Sequence, residues 1–198
     1  KDYVLASVYC IVMVVIQQVV AALLQTGFNS AGIIDKPYAQ YLLILFSLHL
    51  TTAPICIFAF RKKKQDVHIE KKSISFLTFI GIIPIIYTMV FAGNMISSVI
   101  SGLISDQSQQ LVANLTTGDS TFFRILVVGI TAPIAEEILF RKLLIDRMAK
   151  HSQIWAVIFS SVSFGIFHQN FAQLFYATLI GLVLGFVYVK TGKILYTI

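Results

Sequence analysis

The chain has 198 residues, of which 57% are hydrophobic and only 12% charged, and its mean hydropathy is +0.84. A soluble domain carries about 25% charged residues, so this balance excludes an ordinary water-soluble protein and points to lipid as the main solvent. The net charge of +6 does not make a nucleic-acid binder, because the basic residues form neither one face nor an arm but sit between apolar runs, where membrane orientation signals lie.

In chain order, the first apolar run, Tyr3 to Leu24, is too long for a signal-peptide core and lacks a small-residue cleavage site, so it is predicted to be a retained helix. Further spans are predicted over Tyr41 to Phe60, Phe76 to Ile100, and Phe122 into the Lys142 to Lys150 region. The last two, Ile154 to His168 and Phe171 to Val189, are joined so tightly by Gln169 and Asn170 that they make a helical hairpin. Crossing a bilayer takes roughly 20 residues of helix. The expected fold class is therefore all-α, a polytopic transmembrane helix bundle with six spans and the start of a seventh at Ile194 to Ile198. Residues 1–198 read as a single integral-membrane domain. The chain opens at Lys1 without methionine and stops within an apolar run, so the parent protein is expected to continue at both ends.

Orientation follows from lysine and arginine placement. Lys1, the loop residues Arg61, Lys62, Lys63, Lys64, Lys71 and Lys72, then Lys142, Arg147 and Lys150, and finally Lys190 and Lys193 all fall on one side. Only Lys36 and Arg124 fall on the other, which makes the basic loops and the amino terminus cytoplasmic. Cys10 and Cys56 lie inside apolar runs as small hydrophobes, with neither the number nor the placement of a disulfide framework or zinc knuckle. The polar outer segment Ser101 to Ser120 contains an Asn114-Leu115-Thr116 acceptor pattern too short to carry weight. His49 has nothing aligned with it, His68 and His151 read as solvated loop residues, and Gly181 and Gly185 form a small-xxx-small packing pattern.

The chemistry is concentrated in the fourth and fifth spans. Two adjacent carboxylates, Glu136 and Glu137, stand deep in an apolar helix, where a charge costs about 2.5–3.5 kcal/mol on insertion scales. Glu137 and Arg141 are four residues apart and share a face, so they can pair. Glu136 points about 100° away and is expected to gain no such help, which leaves it free to accept a proton as a general base. Pro133 removes a backbone bond near Gly129 and can open the helix beside them. Glu136 lies 14 residues before Lys150 and His168 lies 14 residues after Ile154. At 1.5 Å per residue both sit roughly 21 Å from the cytoplasmic edge, so antiparallel neighbours would set them level, with Phe164 walling the imidazole. A Glu–Arg pair can simply staple helices, and carboxylate–histidine chains also relay protons in transporters. The combination at one depth favours catalysis.

Glu136-Glu137-xxx-Arg141 followed by Phe164-xxx-His168 resembles the first two signature motifs of the CPBP family. That family comprises CAAX prenyl proteases and the bacteriocin-processing or self-immunity proteins also called Abi. The resemblance covers residues 122–198, including the Lys190-Thr191-Gly192-Lys193 turn, and marks them as a catalytic core. It implies an intramembrane endopeptidase of a bacterial cell membrane, acting on a prenylated or leader-type membrane-associated peptide. Glu136 and His168 would position and activate the attacking water, and Glu137 and Arg141 would support them. A further HxxxN or HxxxD motif, which usually stabilises the oxyanion, would follow beyond Ile198. The resemblance implies either a metal-bound or a glutamate-activated water. Glu136, Glu137 and His168 make a thin ligand set for a divalent metal such as zinc, no HExxH pattern occurs, and the expectation leans to activation without a tightly held metal. Two other uses stay open: a non-catalytic scaffold or self-immunity protein, and a small proton-coupled transporter.

Overall fold

A computed structural model describes residues 2–60, 69–104, 113 and 120–198. Lys1, Arg61 to Lys64, His68 and the Asn114-Leu115-Thr116 pattern lie outside the described residues, as does most of the outer segment.

Long apolar runs with few charges become helices because lipid offers no partner to backbone polar groups, which must pair within the segment. Among the described residues, six helical runs result and no strand. They are α1 (Asp2–Ser30), α2 (39–60), α3 (Phe76–Ile104), α4 (121–148), α5 (Gln153–Phe167) and α6 (Phe171–Thr191). Four of them, α1, α2, α3 and α6, are long and apolar enough to cross a membrane. The other two expected spans differ for separate reasons. α4 carries the charged cluster, and α5 has 15 residues, about 22 Å at 1.5 Å per residue. The residues expected to open a seventh span form a 3₁₀ turn, Ile194–Tyr196.

Helix α6 lies between α3 and α5, and α1 packs on α2 and touches α5. The α5–α6 hairpin is tight because glycine faces the partner helix. A Cβ on Gly181 would stand 3.0 Å from the Ser161 Cα, and one on Gly185 3.0 Å from a Val157 methyl, as the small-xxx-small pattern predicts. The hairpin turn is fixed by Gln169, at φ 56, and by Asn170, whose side chain caps α6 by accepting from the Gln173 N–H.

At the other end of the bundle the basic segments gather. Tyr3 of α1 stacks on His151 at 6.0 Å, and the Lys72 N–H donates to the Thr191 carbonyl at 2.8 Å. Gly192, at φ +61, closes α6 in the left-handed conformation and abuts the Ile69 and Glu70 carbonyls. The start of α1, the segment leading into α3 and the ends of α4 and α6 therefore share one end. Their lysines and arginines cluster there with Asp146, which Lys142 meets at 2.7 Å and to which Tyr188 donates at 2.7 Å.

Candidate active site

Two prolines shape the helices that build the site. Pro54 and Pro133 each lack the N–H that would reach the carbonyl four residues back. Each follows a π-helical stretch, Leu45–Thr52 in α2 and Ile125–Thr131 in α4. Widened turns of this kind are frequent at functional sites. The two stretches are bridged by His49 and Thr131, whose Nδ1 and Oγ1 are 2.9 Å apart. Thr131 donates its own proton to the Val127 carbonyl at 3.1 Å, so the imidazole Nδ1–H is the donor. The expectation that nothing aligns with His49 is thereby corrected: its partner stands 82 residues away on α4.

Glu136 and Glu137 sit on the single α turn Ala132–Glu137 between that stretch and another π segment, Ile138–Ile145. The second widening leaves carbonyls unmatched, and Ser160 of α5 donates to the one on Phe140 at 2.7 Å. Arg141 is fully buried and its Nε lies 3.1 Å from a Glu137 carboxylate oxygen. The guanidinium packs on the Phe164 ring, 4.8 Å from its centroid. Its charge also acts on Glu136, which corrects the expectation that Glu136 stands without help from Arg141. Thr197, from the segment after α6, reaches the Glu137 carboxylate as well, and shares its hydroxyl with the Ile194 carbonyl at 2.9 Å.

From Arg141 the site continues across aromatic rings. Phe164 meets Phe140 edge-on at 5.1 Å and His168 edge-on at 4.9 Å, so it does wall the imidazole. The Phe140–Phe164 contact is a rung between antiparallel helices. One turn outward on α4 stands Glu136, and one turn outward on α5 stands His168. His168 caps α5, and its Nδ1 lies 2.9 Å from the Phe164 carbonyl. A carbonyl can only accept, so Nδ1 carries the proton and Nε2 presents a lone pair.

Among the described residues Glu136 and His168 share no hydrogen bond or ion pair. Glu136 is half-buried. Asn170, Gln173 and Tyr176 form a polar group at the start of α6: Asn170 Nδ2 donates to Gln173 Oε1 at 2.8 Å, and Gln173 Nε2 donates to the Tyr176 hydroxyl at 2.9 Å. Glu136, Glu137 and His168 do not gather as a metal set: among the described residues no group of three or more His, Cys, Asp or Glu side chains could hold an ion. Glu137 is occupied by Arg141.

Fold and site together define an integral membrane protein with buried carboxylates, a buried guanidinium and an imidazole gathered around one rung of its helix bundle. Residues 118–198, which hold every one of those groups, match the family model described as Type II CAAX prenyl endopeptidase Rce1-like. A relative in Bacillus subtilis (strain 168), described as "Putative membrane peptidase YdiL", is 34% identical over 92 residues. That match takes in 46% of this chain and 38% of the relative, so the chain spans well under half of that protein. No solved structure matches. This carboxy-terminal portion of the chain is thus similar to CAAX-type membrane endopeptidases.

Proposed function

We propose that the protein is an intramembrane endopeptidase in which Glu136 and His168 activate a water that attacks a peptide bond of a membrane-associated substrate. The observation that carries this reading is the tautomer of His168. With Nδ1 committed to the Phe164 carbonyl, Nε2 is left as a base. A water between them would lose its proton to the carboxylate while the imidazole holds it by a second hydrogen bond. Arg141 and Glu137 keep the α4 turn in place, and Phe164 excludes solvent from one face of the imidazole. This reading routes no step through a metal; among the described residues no group of three or more His, Cys, Asp or Glu side chains could hold an ion.

The substrate class is a prenylated peptide ending in a CAAX-type sequence, in line with the family description. Leader-type peptides are the second class to try. The clustered lysines and arginines mark the cytoplasmic end of the bundle, and the substrate reaches the site from that side. In proteoliposomes containing the parent protein, Glu136→Ala and His168→Ala should each abolish cleavage of a fluorogenic farnesylated CAAX-type peptide. Undiminished cleavage by either variant would end this reading.

A further inference from the structure

Two apolar cavities lie side by side along α5. One, of about 420 Å³, runs between α5 and α1, with Cys10 and Val14 on one wall and Ile166 and Phe167 on the other. The second, of about 480 Å³, is bounded by Tyr3, Trp155 and Ile158. Phe159 and Val162 line both, so the two cavities branch from one ridge. From Trp155 to Phe167 the pair extends about 18 Å along α5 at 1.5 Å per residue. One leaflet of a bilayer, half of its hydrocarbon core, is about 15 Å deep.

The two ends of this trough differ in charge. At one end Tyr3 meets Phe159 edge-on at 6.1 Å and stands beside the His151 ring at 6.0 Å. Lys150 and His151 are exposed there, and the first turn of α5 carries no acidic residue. Trp155, 61% exposed, stands one turn into the helix. Tryptophan is enriched where a membrane meets water, and basic groups beside an opening between helices suit an anionic headgroup. At the other end, just past Phe167, the Gln18 amide donates to Gln169 Oε1 at 2.6 Å and ties α1 to the hairpin turn.

We propose that this trough binds one anionic diacyl phospholipid, with an acyl chain in each cavity and the phosphate beside Lys150 and His151. The shape decides against the peptidase substrate as occupant. Two cavities that meet at Phe159 and Val162 suit two chains on one head, whereas an isoprenoid is a single chain. The basic end also lies about 24 Å along α5 from His168, so a head held there is remote from the imidazole. One wall belongs to α1, outside the residues 118–198 that match the endopeptidase model. The lipid therefore joins α1 to the helix that His168 caps, and its binding does not depend on the peptidase reading.

The test uses the parent protein in phosphatidylcholine vesicles. A minor fraction of the lipid carries brominated acyl chains, on phosphatidylglycerol in one series and on phosphatidylcholine in the other. Bromine quenches indole emission at short range, and the Trp155 signal is the component lost in Trp155→Phe. Brominated phosphatidylglycerol should quench it about fivefold more effectively, the factor that one lysine near an anionic lipid contributes. Lys150→Glu/His151→Glu should abolish that preference. Val162→Phe, which adds bulk where the cavities meet, should reduce it with the charges intact. All three positions are exposed, so the variants keep the fold, as circular dichroism would verify. Equal quenching by the two brominated lipids overturns the proposal. A preference unchanged in Val162→Phe overturns it too, because surface charge alone would then account for the attraction. Quenching that falls as the protein-to-lipid ratio rises would mean that a second copy covers the trough, and the proposal fails again. None of these measurements involves turnover, so an inactive or a fully active Glu136→Ala leaves their outcome unchanged.

Discussion

The two sides of α4 treat neighbouring carboxylates in opposite ways. On one side Glu137 is closed off: it is buried, ion-paired to Arg141 and met by Thr197 from beyond α6. On the other side Glu136 is half-buried and, among the described residues, has no ion-pair partner at contact distance. Arg141 pulls on both, but it touches only Glu137. The contrast shows how a helix in lipid can hold two acids: one pairs with the buried cation and fixes the helix, and the other stays available to a ligand. Adjacent positions on a helix serve this purpose because they diverge by about 100°.

The largest expected effect tests that division directly. Glu136→Gln should lower peptide cleavage about 10²–10⁴-fold, the usual contribution of a general base, and leave the unfolding midpoint in a denaturing-detergent titration unchanged. Glu137→Gln should do the opposite in emphasis. It leaves the Arg141 charge buried without its partner, a loss of about 3–5 kcal/mol in stability. If both variants lose the same stability and the same rate, the two carboxylates are not divided between holding and use.

A smaller effect concerns the hairpin that carries His168. Gly181→Leu forces a side chain against the Ser161 backbone, where even a Cβ would be 3.0 Å from the Cα. Overpacking of this kind costs about 1–3 kcal/mol. It should part α5 from α6 and so loosen the tie between Asn170 and the imidazole-bearing turn. An unfolding midpoint equal to that of the parent chain would show that the glycine is not needed for the close approach.

Much of this was legible in sequence. The apolar runs, the Gln169–Asn170 hairpin, the Glu137–Arg141 pair and the packing of Phe164 on His168 all follow from local spacing, three or four residues along one helix. Other features depend on partners far along the chain. Helix α1 continues past Leu24 to Ser30 because Thr26 and Ser30 return their hydroxyls to backbone carbonyls one turn back, a use of polar residues that hydropathy counts as an ending. Pro133 announces the first widened stretch of α4, yet nothing local announces the second. There the matching group for the Phe140 carbonyl is Ser160, on another helix.

The smallest expected effect separates the acid-bearing turn of α4 from the widened stretch just before it. Thr131 holds His49 and neither residue belongs to the proposed machinery, so the pair should matter for packing and not for rate. Thr131→Val removes the acceptor of the imidazole Nδ1–H and should cost about 1 kcal/mol. Adding His49→Leu removes the stranded donor as well. The double variant should regain part of that loss, since a buried pair replaced on both sides by apolar groups can be nearly neutral. Cleavage by the double variant should stay within about twofold of the parent chain, because about 0.4 kcal/mol in a barrier corresponds to that factor. A rate loss comparable to that of Glu136→Gln, at recovered stability, would extend the working side of α4 one turn further out than Glu136 and redraw the boundary between its two halves.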